Sequence, residues 1–331
     1  MRRLINHPDN VVDDLISGYV KAHHDKVKLL EEDDKVVVTT NPVEGKVGVI
    51  VGGGSGHEPL FLGYIGENLA DAAVIGEINT SPSPEPCYNA AKAVDQGKGC
   101  IYLYGNYSGD VMNFDMGAEM ALEMDDIKVN TVVVTDDVVS AKEIENRRGI
   151  AGDIFVFKAA GAAAAKGLDL EEVTRLAQKC NDHTRSMGVA LSSSTLPAKG
   201  GPIFHMEKGD MEIGMGIHGE QGIRRGKIEP ADQVVDEIME YILEDYPLGE
   251  GDEVYTLVNG LGGLPLMDQY ILNNRLEEVL TERGVKIHKA LVGNYATSMD
   301  MIGMGITIVK LDDELKELLD YPSDAPYYSV R

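Results

Sequence analysis

Short β-branched runs that end in glycine-rich turns, with helical patterns between them, constrain this chain more than any other feature. Lys46–Val51 (KVGVIV) ends in Gly52, Gly53, Gly54, Ser55, Gly56 and His57. Ile101–Tyr104 ends in Gly105, Asn106, Tyr107, Ser108, Gly109 and Asp110. Lys35–Thr39, Ala72–Ile75 and Thr131–Thr135 read as further strands. Strands alternating with helices argue for βαβ units, so an α/β fold with a mostly parallel sheet flanked by helices is expected.

The helical patterns are of several kinds. Val12, Leu15, Ile16, Tyr19 and Val20 share one face behind Pro8 and Asp9. Met112, Met116, Met120 and Met124 recur at i, i+4 after Asp110 and read as core. Ala159–Ala165 reads as a small-residue helix suited to close packing. After about Val189 the character changes, and Ser192–Gly201 (SSSTLPAKGG) reads as a loop or domain boundary. Beyond it come an alternating Gly-rich stretch (Met211–Ile217), a helix carrying Val234, Val235, Ile238, Met239, Ile242 and Leu243, and a strand (Val254–Val258) with a glycine turn. Helix Leu266–Thr281, strands Val285–Val292 and Ile306–Leu311, and helix Asp312–Leu319 complete the pattern. Two α/β domains are predicted, residues 1–190 and 191–331, the second smaller and mixed. The 331 residues, 43% of them hydrophobic, suffice for two cores; with no Trp and 6% aromatics, aliphatic side chains and Met must fill them.

The formal net charge of −25 repels phosphate backbones, so nucleic acid is not an expected partner. The same charge serves solubility. Three cysteines (Cys87, Cys100, Cys180), none in a CxxC pair, argue against a disulfide framework. The opening MRRLINHPDN has no apolar core of a secretory signal, and no run approaches the roughly 20 apolar residues of a membrane span. A cytoplasmic protein without a membrane anchor is expected.

Each motif has a plain reading beside a functional one. Gly52–His57 lacks the last glycine of a dinucleotide fingerprint, and no GK[ST] follows any glycine loop, so neither nucleotide class is supported. What remains is either bare backbone that a small polar ligand can approach, with His57 at its rim, or a tight turn with a surface histidine. Asp110 falls where a helix N-cap should be. It also falls at the carboxyl edge of a strand, where α/β proteins hold ligands. His57 and Asp110 would share that edge and could do acid–base work on a hydroxyl. His218 sits among Gly214, Gly216 and Gly219, which clear space around it, although a lone histidine is more often structural. Asp136 and Asp137 read as a turn and cap, and no metal is assigned. No G-x-S-x-G elbow supports a serine hydrolase.

Taken together, these segments resemble the ketone-binding (K) subunit family of dihydroxyacetone kinases. The matching stretches are GGGSGHEP (52–59), TSPSP (80–84), NYSGDVMNFD (106–115), RRGIAG (147–152), GIHGE (216–220) and LVGNYATSMDM (291–301), in the family's order over nearly the whole chain. The resemblance implies that His218 forms a covalent hemiaminal with the substrate's carbonyl carbon. It implies that His57 and Asp110 handle protons and hold hydroxyls, and that Gly54, Ser55, Gly56 and Ser81 bound the same pocket. It further implies two α/β domains, a homodimer, and no cofactor or metal on this chain. A nucleotide-binding helical (L) subunit carrying ADP or ATP with Mg is the expected partner, with a phosphotransferase-relay (M) subunit as an alternative phosphoryl source.

The chemistry suits such residues. A triose offers few heavy atoms, and the affinity ceiling is roughly −1.5 kcal/mol per heavy atom, so non-covalent capture is weak. An imidazole nitrogen that adds to a ketone carbon removes that limit and rejects polyols. A tethered sugar then offers a fixed hydroxyl for in-line attack. The chain departs from the family in one place: Gly105 stands where the family has Lys. The lost cation and volume make a longer ketose, erythrulose, a rival substrate to dihydroxyacetone. The alternative function is a non-catalytic ketose sensor acting as coactivator of a transcription factor. A Rossmann dehydrogenase would rest on the glycine loop alone.

Overall fold

The computed structural model describes residues 3–331. The chain divides into two units: 3–134 with 153–181 and 315–331, and 135–152 with 182–314.

The first unit is built on six strands: β1 (Val27–Leu30), β2 (Asp33–Thr39), β3 (Gly48–Ser55), β4 (Ala72–Ile78), β5 (Cys100–Gly105) and β6 (Val129–Val134). Their order is β1-β2-β4-β3-β5-β6. β4, β3, β5 and β6 are mutually parallel, as the βαβ alternation predicts, and β1 and β2 add an antiparallel edge. Around it run α1 (Val11–Ala22), α2 (Pro84–Val94), α3 (Ser108–Asp125), α4 (Asp153–Ala165) and α5 (Leu170–Asp182). Successive side chains of a strand point to opposite faces, and β3 shows both covers. The position of Gly52 is filled by Phe114 of α3 and that of Gly53 by Phe61, which packs on Phe157 of α4. Ile50, Val74, Tyr102, Tyr104 and Phe114 form one buried cluster with α2.

The methionine row is not core. Met112, Met116 and Met124 are 59%, 47% and 63% exposed, and only Met120 is partly buried. Helix α3 buries Phe114, Gly117 and Ala121 instead. Those positions lie at helical spacing about half a turn from Met112 and Met116. Gly117 lets α2 come close, since a Cβ there would meet the Cys87 side chain at 2.6 Å.

The second unit holds β7 (Thr184–Ala190), the two-residue pair β8 (Thr195–Leu196) and β9 (Gly201–Pro202), β10 (Asp210–Ile213), β11 (Arg224–Lys227), β12 (Glu253–Gly260), β13 (Lys286–Gly293) and β14 (Gly303–Leu311). Its main sheet runs β11-β10-β7-β14-β12-β13. Only β12 and β13 pair in parallel, and α7 (Leu266–Glu282) joins them. All other neighbours are antiparallel. The apolar stripes of α6 (Ala231–Asp245) and α7 bury against Met187, Val189, Val254, Val258, Ile306 and Ile308. The chain returns to the first unit through α8 (Asp313–Asp320) and the short strands β15 (Ser323–Asp324) and β16 (Ser329–Val330).

The division therefore falls differently from a single cut at residue 190. β7 precedes that cut yet lies between β10 and β14, and residues 153–181 and 315–331 belong with the first sheet. Ser192–Gly201 is a loop with a short hairpin inside the second unit, not a linker.

Candidate functional site

In the first unit, three turns leave the carboxyl ends of adjacent parallel strands β4, β3 and β5. This is the edge at which α/β sheets present ligand-binding residues. The expected glycine loop is mostly strand: Gly52–Ser55 belong to β3 and pair with β4, and the turn starts at Gly56. The bare backbone at Gly54 admits protein, because a Cβ there would lie 2.7 Å from the Thr80 amide nitrogen. Ser55 donates its hydroxyl to the Gly76 carbonyl at 2.7 Å, locking the two strand ends together.

His57 is only 2% exposed, which removes the surface-histidine reading. Its carbonyl accepts the Leu60 N–H at 3.0 Å. The neighbouring Glu58 carboxyl is pushed up by burial, against the pull of the Gly56 N–H, which donates to it at 3.0 Å. Asp110 lies in the first turn of α3 and is not its cap: Tyr107 holds the N-cap position and gives no side-chain hydrogen bond. A carboxylate in a first turn faces the positive end of the helix dipole. Burial, and after it the Asp110 charge, push the Cys87 thiol up. All three cysteines are free and buried.

Ser81 follows β4. Its hydroxyl accepts from Asn113 Nδ2 at 3.2 Å, and Asn113 also donates to the Pro82 carbonyl at 2.7 Å. A Cβ on Gly109 would meet the Ser81 side chain at 3.3 Å. The turns 80–84 and 106–110, far apart in sequence, are thus brought together. Gly105 is buried at the end of β5, in register with Val134 of β6.

In the second unit His218 stands in the loop between β10 and β11 with 22% of its side chain exposed. Glu220 grips it twice: Oε2 accepts the His218 backbone N–H at 3.0 Å, and Oε1 lies 3.1 Å from Nδ1. The loop is tight, with the Gly219 N–H donating to the Gly216 carbonyl at 3.0 Å. Burial raises the Glu220 carboxyl, but His218, its own backbone N–H and Arg148 outweigh it and bring it down to about 2. Arg148 Nη1 is 3.9 Å from Glu220. The same guanidinium donates to Asp137 at 2.7 and 3.0 Å and to the Gly214 carbonyl at 3.2 Å. Burial pushes Asp137 up to about 6 against that arginine. Asp136 accepts the Ile150 and Gly152 N–H groups, both at 2.8 Å. The two aspartates therefore work as an ion pair and a backbone cap. Among the described residues no cluster of three His, Cys, Asp or Glu side chains is placed to hold a metal ion.

Sequence reading assigned no role to Glu220, Arg148 or Asn113. A glutamate two residues after the histidine was the available signal. The cavity of about 500 Å3 beside β1, β2 and α2, lined by Lys28, Lys46, Tyr88 and Lys92, contains none of the candidate residues.

Fold and site residues define an α/β protein that gathers a buried histidine and an aspartate at strand ends of one sheet and fixes a second histidine beside another. The Dak1 domain family matches residues 17–327, and the chain belongs to that family. It is 64% identical over 331 residues, all of both chains, to "PTS-dependent dihydroxyacetone kinase 2, dihydroxyacetone-binding subunit DhaK" of Listeria innocua serovar 6a. It is 39% identical over 334 residues to the "L-erythrulose kinase" of Pectobacterium atrosepticum, covering 99% of this chain and 56% of that one. The crystal structure of the dihydroxyacetone kinase of C. freundii in its native form superposes with a TM-score of 0.92 at 33% identity, over 99% of this chain and 60% of that one.

Proposed function

We propose that this chain is the ketose-binding subunit of a dihydroxyacetone kinase-type phosphotransferase. It captures dihydroxyacetone or the related ketose erythrulose as a hemiaminal on His218 and presents a hydroxyl for phosphorylation. His57 and Asp110 handle protons and hold hydroxyls, with Gly54, Ser55, Gly56, Ser81 and Gly105 shaping the sugar's surroundings. The observation that carries this reading is the setting of His218. Its ring is held by Glu220 at Nδ1 in a tight glycine loop and keeps 22% of its side chain exposed, a fixed and reachable imidazole of the kind a nucleophile needs. The 64% identity, over the full length, to a dihydroxyacetone-binding subunit supports it.

The phosphoryl group comes from a helical partner (L) subunit that holds ADP or ATP with Mg, recharged in a relay system by a phosphotransferase (M) subunit. We place the reaction in the cytoplasm, with the chain working as a homodimer. Gly105 in place of Lys removes a cation and a side chain's volume relative to the family, so erythrulose is the rival substrate.

The test is reconstitution with the nucleotide-carrying subunit and either dihydroxyacetone or erythrulose, reading sugar phosphate against time. The expected result is turnover of at least one ketose. Ketose binding with no sugar phosphate formed would replace the enzyme by a sensor.

A further inference from the structure

We infer that Glu220 is the positioning residue of His218: its carboxylate keeps the ring proton on Nδ1 and so makes Nε2 the nitrogen that bonds to a carbonyl carbon. This rests on the hemiaminal reading above and adds to it the ring tautomer and the adduct's counter-charge.

The argument starts from the acceptor. Glu220 Oε2 accepts a backbone N–H, Arg148 lies 3.9 Å from it, and the carboxyl is held below its usual range, so it is ionised at neutral pH and has no proton to donate. An oxygen 3.1 Å from Nδ1 can then only accept, so Nδ1 must be the donor. A neutral imidazole carries one N–H, and the lone pair falls to Nε2. The carboxylate cannot drift away, because its other oxygen accepts the His218 backbone N–H at 3.0 Å. The space it occupies is kept for it: a Cβ on Gly216 would lie 2.2 Å from Oε2. Arg148, anchored on Asp137 and the Gly214 carbonyl, lies 3.9 Å from the same oxygen.

The adduct needs this carboxylate more than the free ring does. The Nε2 lone pair forms the N–C bond while the carbonyl π pair moves onto oxygen, which takes one proton from a general acid or water. The ring keeps its Nδ1–H and becomes an N-substituted imidazolium, one positive charge richer than before. Glu220 is the counter-charge already in place, and a charge-assisted bond is about twice as strong as a neutral one. Captured ketose is thereby stabilised relative to free ketose.

The experiment uses the full chain with 15N-labelled histidine, first without sugar. The wild-type His218 ring is expected as the Nδ1–H tautomer, and Glu220→Gln to shift population toward Nε2–H. Dihydroxyacetone affinity of the Gln variant should fall about tenfold to a hundredfold, the worth of a hydrogen bond to a charged group. Glu220→Asp should recover part of it. A wild-type ring protonated on Nε2, or a folded Gln variant with unchanged tautomer and affinity, overturns the inference. The tautomer is read without sugar, so it stands apart from the hemiaminal reading, which fails separately if His218→Ala still captures ketose.

Discussion

The two units place their candidate residues by different physical means. In the first, topology does the placing: parallel strands β4, β3 and β5 end on one edge, and the turns that follow bring Ser81, His57 and Asp110 there. Backbone pairing and tight glycine contacts hold that edge. In the second, the mostly antiparallel sheet gives no such convergence, and His218 sits in a loop after β10. Side chains hold it: Glu220, then Arg148, then Asp137. A parallel edge presents ligand groups by default, whereas a loop on an antiparallel sheet needs a dedicated ionic scaffold to fix one ring.

That contrast can be broken at several points, beginning with the largest effect. Asp110→Asn is close to isosteric and removes one of the two acid–base groups proposed for the first unit, so sugar-phosphate formation should fall about 10²- to 10⁴-fold. Ketose capture by His218, measured by equilibrium binding, should persist. Equal loss of both would erase the separation of roles.

Next is Asp245→Ala in the second unit. Asp245 accepts from Arg147 at 2.5 and 2.9 Å and from Arg185 at 2.5 Å, both guanidiniums being buried. Removing the shared carboxylate leaves two buried cations with backbone carbonyls but no counter-charge from Asp245, which should cost about 3–5 kcal/mol in denaturant unfolding. A loss below about 1 kcal/mol, the worth of an exposed ion pair, would show that ionic clamps do not underlie this unit.

A smaller effect belongs to pH. The folded Glu220 carboxyl is depressed to about 2 from an ordinary 4.5, so its contribution to stability is fully present above 4.5 and is lost as pH falls through 2. The stability gap between wild type and Glu220→Gln, followed by denaturant melts at successive pH values, should close over that window. A gap that widens on acidification would reverse the sign. Smallest is Met116→Gln on the exposed face of α3, expected within about 0.5 kcal/mol of wild type; a loss of several kcal/mol would restore the methionine row to the core.

Much of the first unit was legible because β-branched runs such as Val36–Val38 and Val49–Val51 mark buried strands. The second unit was harder. β7 reads TRSMGVA, too polar and too glycine-rich for a strand signal, yet it is buried throughout between β10 and β14. The βαβ element β12–α7–β13 could be read, but antiparallel pairing across long separations leaves no local mark. Periodicity also misled at α3, where methionines recur at helical spacing on a face the fold leaves open. Motifs offered His57, Asp110, Ser81 and His218 as candidates. They could not give what Glu220 and Arg148 do, because that depends on how the turn from Gly216 to Gly219 folds back.

The most direct measurement of the central claim follows the carbonyl carbon itself. Dihydroxyacetone labelled with 13C at C2 is added to the wild-type chain and to His218→Ala, and the carbon is observed by NMR. The account predicts a protein-bound tetrahedral signal with the wild type that is absent from the Ala variant. A bound sugar that keeps its carbonyl signal, or a tetrahedral signal that survives loss of the histidine, would contradict it.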